Sequence, residues 1–235
     1  MHSLTHNFTH TKSLSVLTYL DNIAHYVNVD TTTVQGLERA NRLTMVESGL
    51  ADFMATPYLG QAASLFASKM KTGRIFAILE DPVVRTMARY DYLRGLDDTY
   101  LNIPQTLVQY AESDLLEENV MTKVLANLTM ETVVTLEHVS IAKMMIEHYV
   151  VVGVANHMEQ SLEYFYDYFG WEMDVRDWKS CQTSFIDKHK FGFVINPESD
   201  EFSTLADRNW ADVEVYDYAK NRFEKHAKRF RVSSL

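Results

Sequence analysis

The chain has 235 residues, of which 46% are hydrophobic, a length and composition typical of one α/β domain with a sizeable core. Its formal net charge of −10 repels nucleic-acid phosphates, and no long Lys/Arg block opposes that repulsion, so nucleic-acid binding is not expected. No apolar run approaches the ~20 residues that span a bilayer, and Cys181 stands alone, which excludes an intrachain disulfide.

Residues 1–55 contain no pattern that assigns a function, and we set them apart from the better patterned residues 56–235, within one domain overall. His2, His6 and His10 recur every four residues and would align on a helix, where three imidazoles could hold a metal ion. The Asn and Thr residues between them are poor helix formers and chain ends fray, so we predict a solvated tail and no metal site.

A strand followed at once by a helix is predicted from residue 75. Ile75–Leu79 is a short continuous apolar run of the kind found in strands buried on both faces. Asp81 is a suitable N-cap and Pro82 suits the first helical turn, with the helix continuing to about Arg94.

Three further helices are predicted before the next strand. The first begins at Pro104 and the third spans Thr135 to His148. The second spans Leu116 to Leu128. Spacing predicts that the second helix has one face of Val120, Val124 and Leu128, and that the third buries Val139, Ala142 and Ile146.

A second strand-to-helix unit begins at Tyr149–Val154, a run rich in β-branched residues. The following helix is predicted to have an apolar stripe of Met158, Leu162, Phe165 and Phe169. After Trp171 the chain is polar and irregular to about Leu205, apart from a short strand at Phe191–Ile195. A final helix is predicted from Asp207, with an apolar stripe of Val215, Ala219, Phe223, Ala227 and Phe230.

This alternation of strands and helices predicts an α/β fold with a mostly parallel sheet flanked by helices. Ligands of such sheets usually bind beyond the carboxyl ends of the strands, and Glu80-Asp81-Pro82 is such an end. We call these three residues the 80–82 turn.

The stretch Phe76–Leu93 resembles the pattern Leu-Arg-Asp-Pro-x-x-Arg-x-x-Ser-x-Tyr of the carbohydrate (heparan/chondroitin-type) sulfotransferases. Later segments resemble the same family in the same order, and together they cover residues 56–230. These segments are Glu118–Leu125, Val151–Val154 through Leu162, Phe169–Trp171, Asn209–Asp212 and Val215–Ala219.

The resemblance implies a sulfotransferase-like three-layer architecture, related to the P-loop nucleotide hydrolases. It also implies transfer of a sulfuryl group from 3′-phosphoadenosine 5′-phosphosulfate to a carbohydrate hydroxyl. The Golgi lumen is the compartment typical of the family, although no signal or anchor is visible in this chain.

The chain departs from the family where the donor would bind. Glu80 stands where the family has the Arg that pairs with the 3′-phosphate, and Ala88 stands where it has the Ser. The Gly-rich loop for the 5′-phosphosulfate has no counterpart in the first 70 residues. Arg85 and Arg89 lie four apart and could replace the lost ligands, or could tie the helix to its surroundings.

Two functions follow from this pattern. The first is a sulfotransferase, for which His138, His148 and His157 are candidate bases by residue type alone. The second is a non-catalytic relative, or a truncated gene product, that acts as a binding scaffold. The acceptor and the oligomeric state are left open by the sequence.

Overall fold

The computed structural model describes residues 16–19, 24–66, 73–96, 102–171, 180 and 195–233. The chain divides into two compact units, Met1–Gly73 and Arg74–Leu235. Three features discussed above lie outside the described residues, namely Cys181, the N-terminal histidines and residues 191–194 of the predicted strand.

The described residues of the first unit form an antiparallel strand pair and three helices. They are β1 (Val16–Tyr19), β2 (Ala24–Val27), α1 (Val34–Arg42), α2 (Met45–Ser48) and α3 (Leu59–Leu65). The Thr33 hydroxyl caps α1 by accepting from the Gly36 N–H at 3.0 Å. Its helices bury a small core of Leu37, Ala40, Met45, Val46 and Leu65.

The second unit contains a parallel strand pair surrounded by helices. Its elements are β3 (Ile75–Leu79), α4 (Pro82–Arg94), α5 (Leu107–Ala111), α6 (Val120–Leu125), α7 (Leu136–His148), β4 (Val150–Val154), α8 (Met158–Phe169), α9 (Asp200–Arg208) and α10 (Trp210–Ser233). A 3₁₀ turn, Ala155–His157, joins β4 to α8. The unit is therefore α/β with a large helical share.

β3 and β4 lie in one parallel sheet, as predicted. β3 and β4 are parallel, with Ile75 opposite Val150 and Leu79 opposite Val154, and each strand feeds a helix on its C-terminal side. β4 is buried throughout. The prediction that β3 is buried on both faces is wrong, because Ile78 is 37% exposed. Ile78 lies opposite Gly153, which has no side chain to cover it.

Gly153 allows α8 to approach the sheet closely. A Cβ atom at this position would lie 2.6 Å from Ser161 Cβ and 3.0 Å from Phe165 Cζ. The Ser161 hydroxyl accepts from Val154 N–H at 2.8 Å and donates to the Val154 carbonyl at 3.0 Å. The buried hydroxyl thus satisfies both peptide groups at the end of β4.

The predicted buried faces of α7 and α10 are confirmed. Val139, Ala142 and Ile146 of α7 are at most 2% exposed, and so are Val215, Ala219 and Phe223 of α10. Ala227 and Phe230 have side chains outside the described set. In α8, Phe165 is buried, whereas Met158, Leu162 and Phe169 are half-buried.

Two predictions about helices are wrong. The face of Val120, Val124 and Leu128 is only half-buried, while α6 buries Met121, Thr122, Lys123 and Leu125. The region before Leu205 is not irregular throughout, because α9 begins at Asp200, capped by the Ser199 hydroxyl. Asn209 then separates α9 from α10.

Candidate functional site

The 80–82 turn connects β3 to α4, and its Asp81 caps the helix as predicted. Asp81 Oδ1 accepts from the N–H groups of Val83 at 2.9 Å and Val84 at 3.2 Å. Pro82 has no N–H to offer. The peptide donors at the start of α4, which elsewhere form anion sites, are therefore taken by the chain's own carboxylate.

Glu80 adds a second carboxylate to the turn. Its Oε1 accepts from the Asp81 N–H at 3.0 Å. Burial raises the pKa of Glu80 and the charge of Asp81 raises it further, against the lowering effect of the Asp81 N–H bond. The turn therefore has an excess of negative charge.

Tyr216 of α10 is affected by these charges. It is 4% exposed, and its buried hydroxyl has no hydrogen-bond partner in the described part of the chain. Burial raises the pKa of Tyr216, and the charges of Asp81 and Glu80 add to the rise. A phenol in such surroundings stays neutral and does not offset the charge of the turn.

Arg85 and Arg89 of α4 are engaged with another part of the unit. Arg85 Nη2 donates to the Glu117 carbonyl at 3.2 Å and lies 3.9 Å from Asp212 Oδ2. Arg89 Nη2 donates to Glu117 Oε1 at 3.1 Å. The Nε atoms of both residues are buried and have no hydrogen-bond partner among the described residues. The structural role is therefore observed for both, and Glu117 competes with any anionic ligand for them.

Ala88 lies on α4 between these arginines and is half-buried. It contributes a methyl group where the family pattern has a hydroxyl.

One buried polar cluster of the unit was not predicted. The helix starts of α6 and α10 cap each other, and we call this cluster the α6–α10 junction. Asp212 accepts from the N–H groups of Met121 at 3.0 Å and Thr122 at 2.7 Å, and from the Thr122 hydroxyl at 2.8 Å. Asn119 Oδ1 accepts from the N–H groups of Ala211 at 3.0 Å and Asp212 at 3.2 Å.

Asn209 completes the junction and links it to α4. The Asn119 N–H donates to Asn209 Oδ1 at 3.1 Å, and Asn209 Nδ2 lies 3.4 Å from the Thr86 hydroxyl. That hydroxyl donates to the Pro82 carbonyl at 2.7 Å. Asn119, Asn209 and Asp212 are at most 4% exposed. A chain of hydrogen bonds thus extends from the junction to the 80–82 turn.

The three candidate bases have separate local roles. His138 Nδ1 accepts from the Thr135 N–H at 3.2 Å within the capping box of α7. His148 ends α7 beside Tyr149. His157 precedes α8 and stacks on Phe223 at 6.3 Å between ring centroids. These contacts assign none of the three to a reaction.

Comparisons with protein-family models, curated proteins and solved structures find no match to this chain. Within the described residues, no group of three His, Cys, Asp or Glu side chains is arranged to hold a metal ion. No helix in the described part of the chain is both long and apolar enough to cross a membrane.

Proposed function

We propose that this chain is a non-catalytic, sulfotransferase-like scaffold in which the 80–82 turn does not hold the sulfate donor. In this proposal, β3 and β4 belong to the central sheet of a three-layer fold of the sulfotransferase type. The parallel pairing of these strands, each followed by a helix, supports that placement.

The observation on which the proposal depends is the filling of the turn by carboxylates. An anion-binding helix start needs free peptide N–H groups and nearby cations. Here the Asp81 N–H is bonded to Glu80, and those of Val83 and Val84 are bonded to Asp81. Asp81 also belongs to the family pattern, so the feature specific to this chain is the Glu80 carboxylate, which stands where that pattern has a cation.

The size of the effect favours weak donor binding. At ~4 Å and an effective dielectric near 20, two unit charges interact by about 4 kcal/mol, and an Arg-to-Glu change turns that attraction into repulsion. Even a small part of this energy lowers affinity greatly, because each ~1.4 kcal/mol is a factor of ten. Glu117 holds Arg85 and Arg89, so their charges are already partly compensated.

The remaining parts of the proposal follow from the family resemblance. The ligand retained by such a scaffold would be a carbohydrate of the acceptor class, and the compartment would be the Golgi lumen. An active sulfotransferase using 3′-phosphoadenosine 5′-phosphosulfate is the competing function, and the same experiment separates the two.

The test is calorimetric titration with the desulfated donor product, 3′-phosphoadenosine 5′-phosphate. We expect very weak binding to the wild-type chain. Glu80→Arg combined with Ala88→Ser restores one charge-assisted pair and one hydroxyl, so binding should strengthen by at least about tenfold. Glu163→Arg, an exposed site on α8, is the control for the change in net charge and should have little effect.

Sulfuryl transfer to a carbohydrate should be absent in the wild type and in the double variant. Tight binding of the product, or measurable transfer, by the wild-type chain would rule out the non-catalytic scaffold. Unchanged binding in a folded double variant would show that the 80–82 turn is not a phosphate position, and the resemblance would lose its main support.

A further inference from the structure

The loop between α6 and α7 and the first turn of α7 expose apolar side chains. Met130 is 48% exposed, Val133 83% and Leu136 70%, and we call these three residues the 130–136 surface. Single exposed apolar residues are ordinary, but several in one short stretch are typical of an interaction site.

The backbone beneath the 130–136 surface is held by a buried lysine. Lys123 is 8% exposed, and its Nζ donates to the Met130 carbonyl at 2.6 Å. The Leu128 N–H in turn donates to the Lys123 carbonyl at 2.8 Å. Burial of an ammonium group is costly unless it is hydrogen-bonded, so this contact favours one loop conformation. The apolar side chains therefore need little further ordering to bind a partner.

The opposite side of α7 is already engaged within the unit. Val139 and Ile146 are buried, and Lys143 Nζ lies 3.6 Å from Glu214 Oε2. Leu136 and Met144 are two helical turns apart on the exposed side, where Met144 is 47% exposed. The exposed side thus continues the 130–136 surface along the helix.

The charges around this surface indicate the class of partner. Glu131 and Glu137 are exposed, and the chain has no Lys or Arg between Lys123 and Lys143. Hydrogen bonds from its own N–H and from Thr129 lower the pKa of Glu131, so its carboxylate is ionised at neutral pH. An acidic border repels anionic lipid and a second copy of a chain with a net charge of −10, and it attracts cations.

We propose that the 130–136 surface binds a cationic amphipathic segment of another protein. The apolar side of that segment covers Val133 and Leu136, and its basic side chains lie toward Glu131 and Glu137. Amphipathic helices are commonly recognised in this way, through a few apolar anchors and a charged border. This binding is independent of whether the 80–82 turn holds a donor.

The probe is a labelled amphipathic peptide of Leu and Lys, with a peptide of the same Leu pattern and Glu in place of Lys for comparison. Fluorescence anisotropy should show binding of the Lys peptide to the wild-type chain. Val133→Ser with Leu136→Ser should weaken it about tenfold or more, since buried anchors dominate such interfaces. Tyr92→Ser with Tyr149→Ser removes two exposed aromatic groups elsewhere, which are 58% and 61% exposed, and should leave affinity within about twofold.

The acidic border is tested separately. Glu131→Gln with Glu137→Gln should weaken the Lys peptide about threefold or more and flatten the salt dependence of binding. Glu159→Gln with Glu163→Gln makes the same charge change on exposed positions of α8 and should have a much smaller effect.

Four results would overturn the proposal. The first two are that the Lys peptide does not bind and that the Glu peptide binds equally well. The third is that the control double substitutions weaken binding as much as those in the 130–136 surface and its acidic border, which would indicate general attraction to an acidic chain. The fourth is that the wild-type chain sediments as a dimer that Leu136→Ser dissociates, which would assign the surface to a second copy of the chain. Thermal melts of all variants establish that each is folded.

Discussion

The start of α4 and the starts of α6 and α10 differ in which side chains accept hydrogen bonds from their first N–H groups. The first N–H groups of a helix have no partner within it and must be satisfied from outside. The start of α4 is capped locally by Asp81, which precedes the helix in sequence. The starts of α6 and α10 are capped by each other, through Asn119 and Asp212.

The difference separates a position that resembles a ligand site from one that maintains the fold. The 80–82 turn lies at the carboxyl end of a parallel strand, where ligands of such folds bind, but carboxylates fill it. The α6–α10 junction is buried and joins segments far apart in the chain. We therefore expect substitutions at the junction to affect stability strongly, and substitutions at the turn to affect it little.

The largest expected effect is that of Asp212→Ala. The substitution leaves the N–H groups of Met121 and Thr122 and the Thr122 hydroxyl buried without an acceptor, and it removes the carboxylate facing Arg85. We expect a loss of about 3–5 kcal/mol in the free energy of unfolding. Urea denaturation followed by circular dichroism measures it.

Asp212→Asn keeps an acceptor and should cost less than Asp212→Ala. Asp217→Ala removes an exposed carboxylate from the same helix and should change stability by no more than about 0.5 kcal/mol. Equal urea midpoints for Asp212→Ala and wild type would show that the reciprocal caps do not stabilise the unit.

The contrast also explains which features the sequence could predict. β3, the Asp81 cap and the buried face of α7 depend on neighbouring residues, so composition and spacing predicted them. The alternation of strands and helices predicted that β3 and β4 run parallel in one sheet, but it did not predict that they are direct neighbours.

The junction could not be predicted in the same way. Asn119 and Asp212 are each ordinary polar residues, and their pairing exists only after the chain has folded. Asp212 lies in the first turn of α10, where the helix dipole alone favours an acidic residue, yet it accepts bonds from another helix. The buried side of α6 was misassigned for the same reason, because Thr122 faces inward to meet Asp212. One signal was present for α9, where Ser199 precedes two acidic residues, Asp200 and Glu201.

Removing the local cap should have an intermediate effect. Asp81→Ala deprives Val83 and Val84 of their acceptor at the half-buried start of α4. Such substitutions typically cost about 1 kcal/mol, because solvent can replace part of the lost bonding. Asp81→Asn retains an acceptor and should recover most of the stability in the same urea assay. A loss from Asp81→Ala as large as that from Asp212→Ala would contradict the distinction between local and reciprocal caps.

The smallest expected effect has a sign that depends on pH. Glu80 has a folded-state pKa above its ordinary value of 4.5, chiefly because of burial. The folded state therefore binds the Glu80 proton more tightly than the unfolded state, and stability falls as pH rises from 4.5 through the raised pKa. Glu80→Gln keeps an oxygen for the Asp81 N–H and removes this charge. We expect it to be more stable than wild type at neutral pH, by less than about 1 kcal/mol after solvent screening, with the difference vanishing below the ordinary pKa.

Glu147→Gln is the matched control with the opposite sign. A hydrogen bond from the Tyr218 hydroxyl lowers the pKa of Glu147 in the folded state, and the charge of Arg222 lowers it further. Its carboxylate therefore contributes stability above pH 4.5 that is lost as pH falls through the lowered pKa. Glu147→Gln should be less stable than wild type at neutral pH and approach it in acid. Urea midpoints measured from about pH 3 to about pH 8 compare the two variants, because this range begins below the ordinary carboxyl pKa and ends well above it. If Glu80→Gln also lost stability at neutral pH, the Glu80 carboxylate would be a stabilising partner within the turn, and the negative charge that we propose weakens donor binding would be compensated.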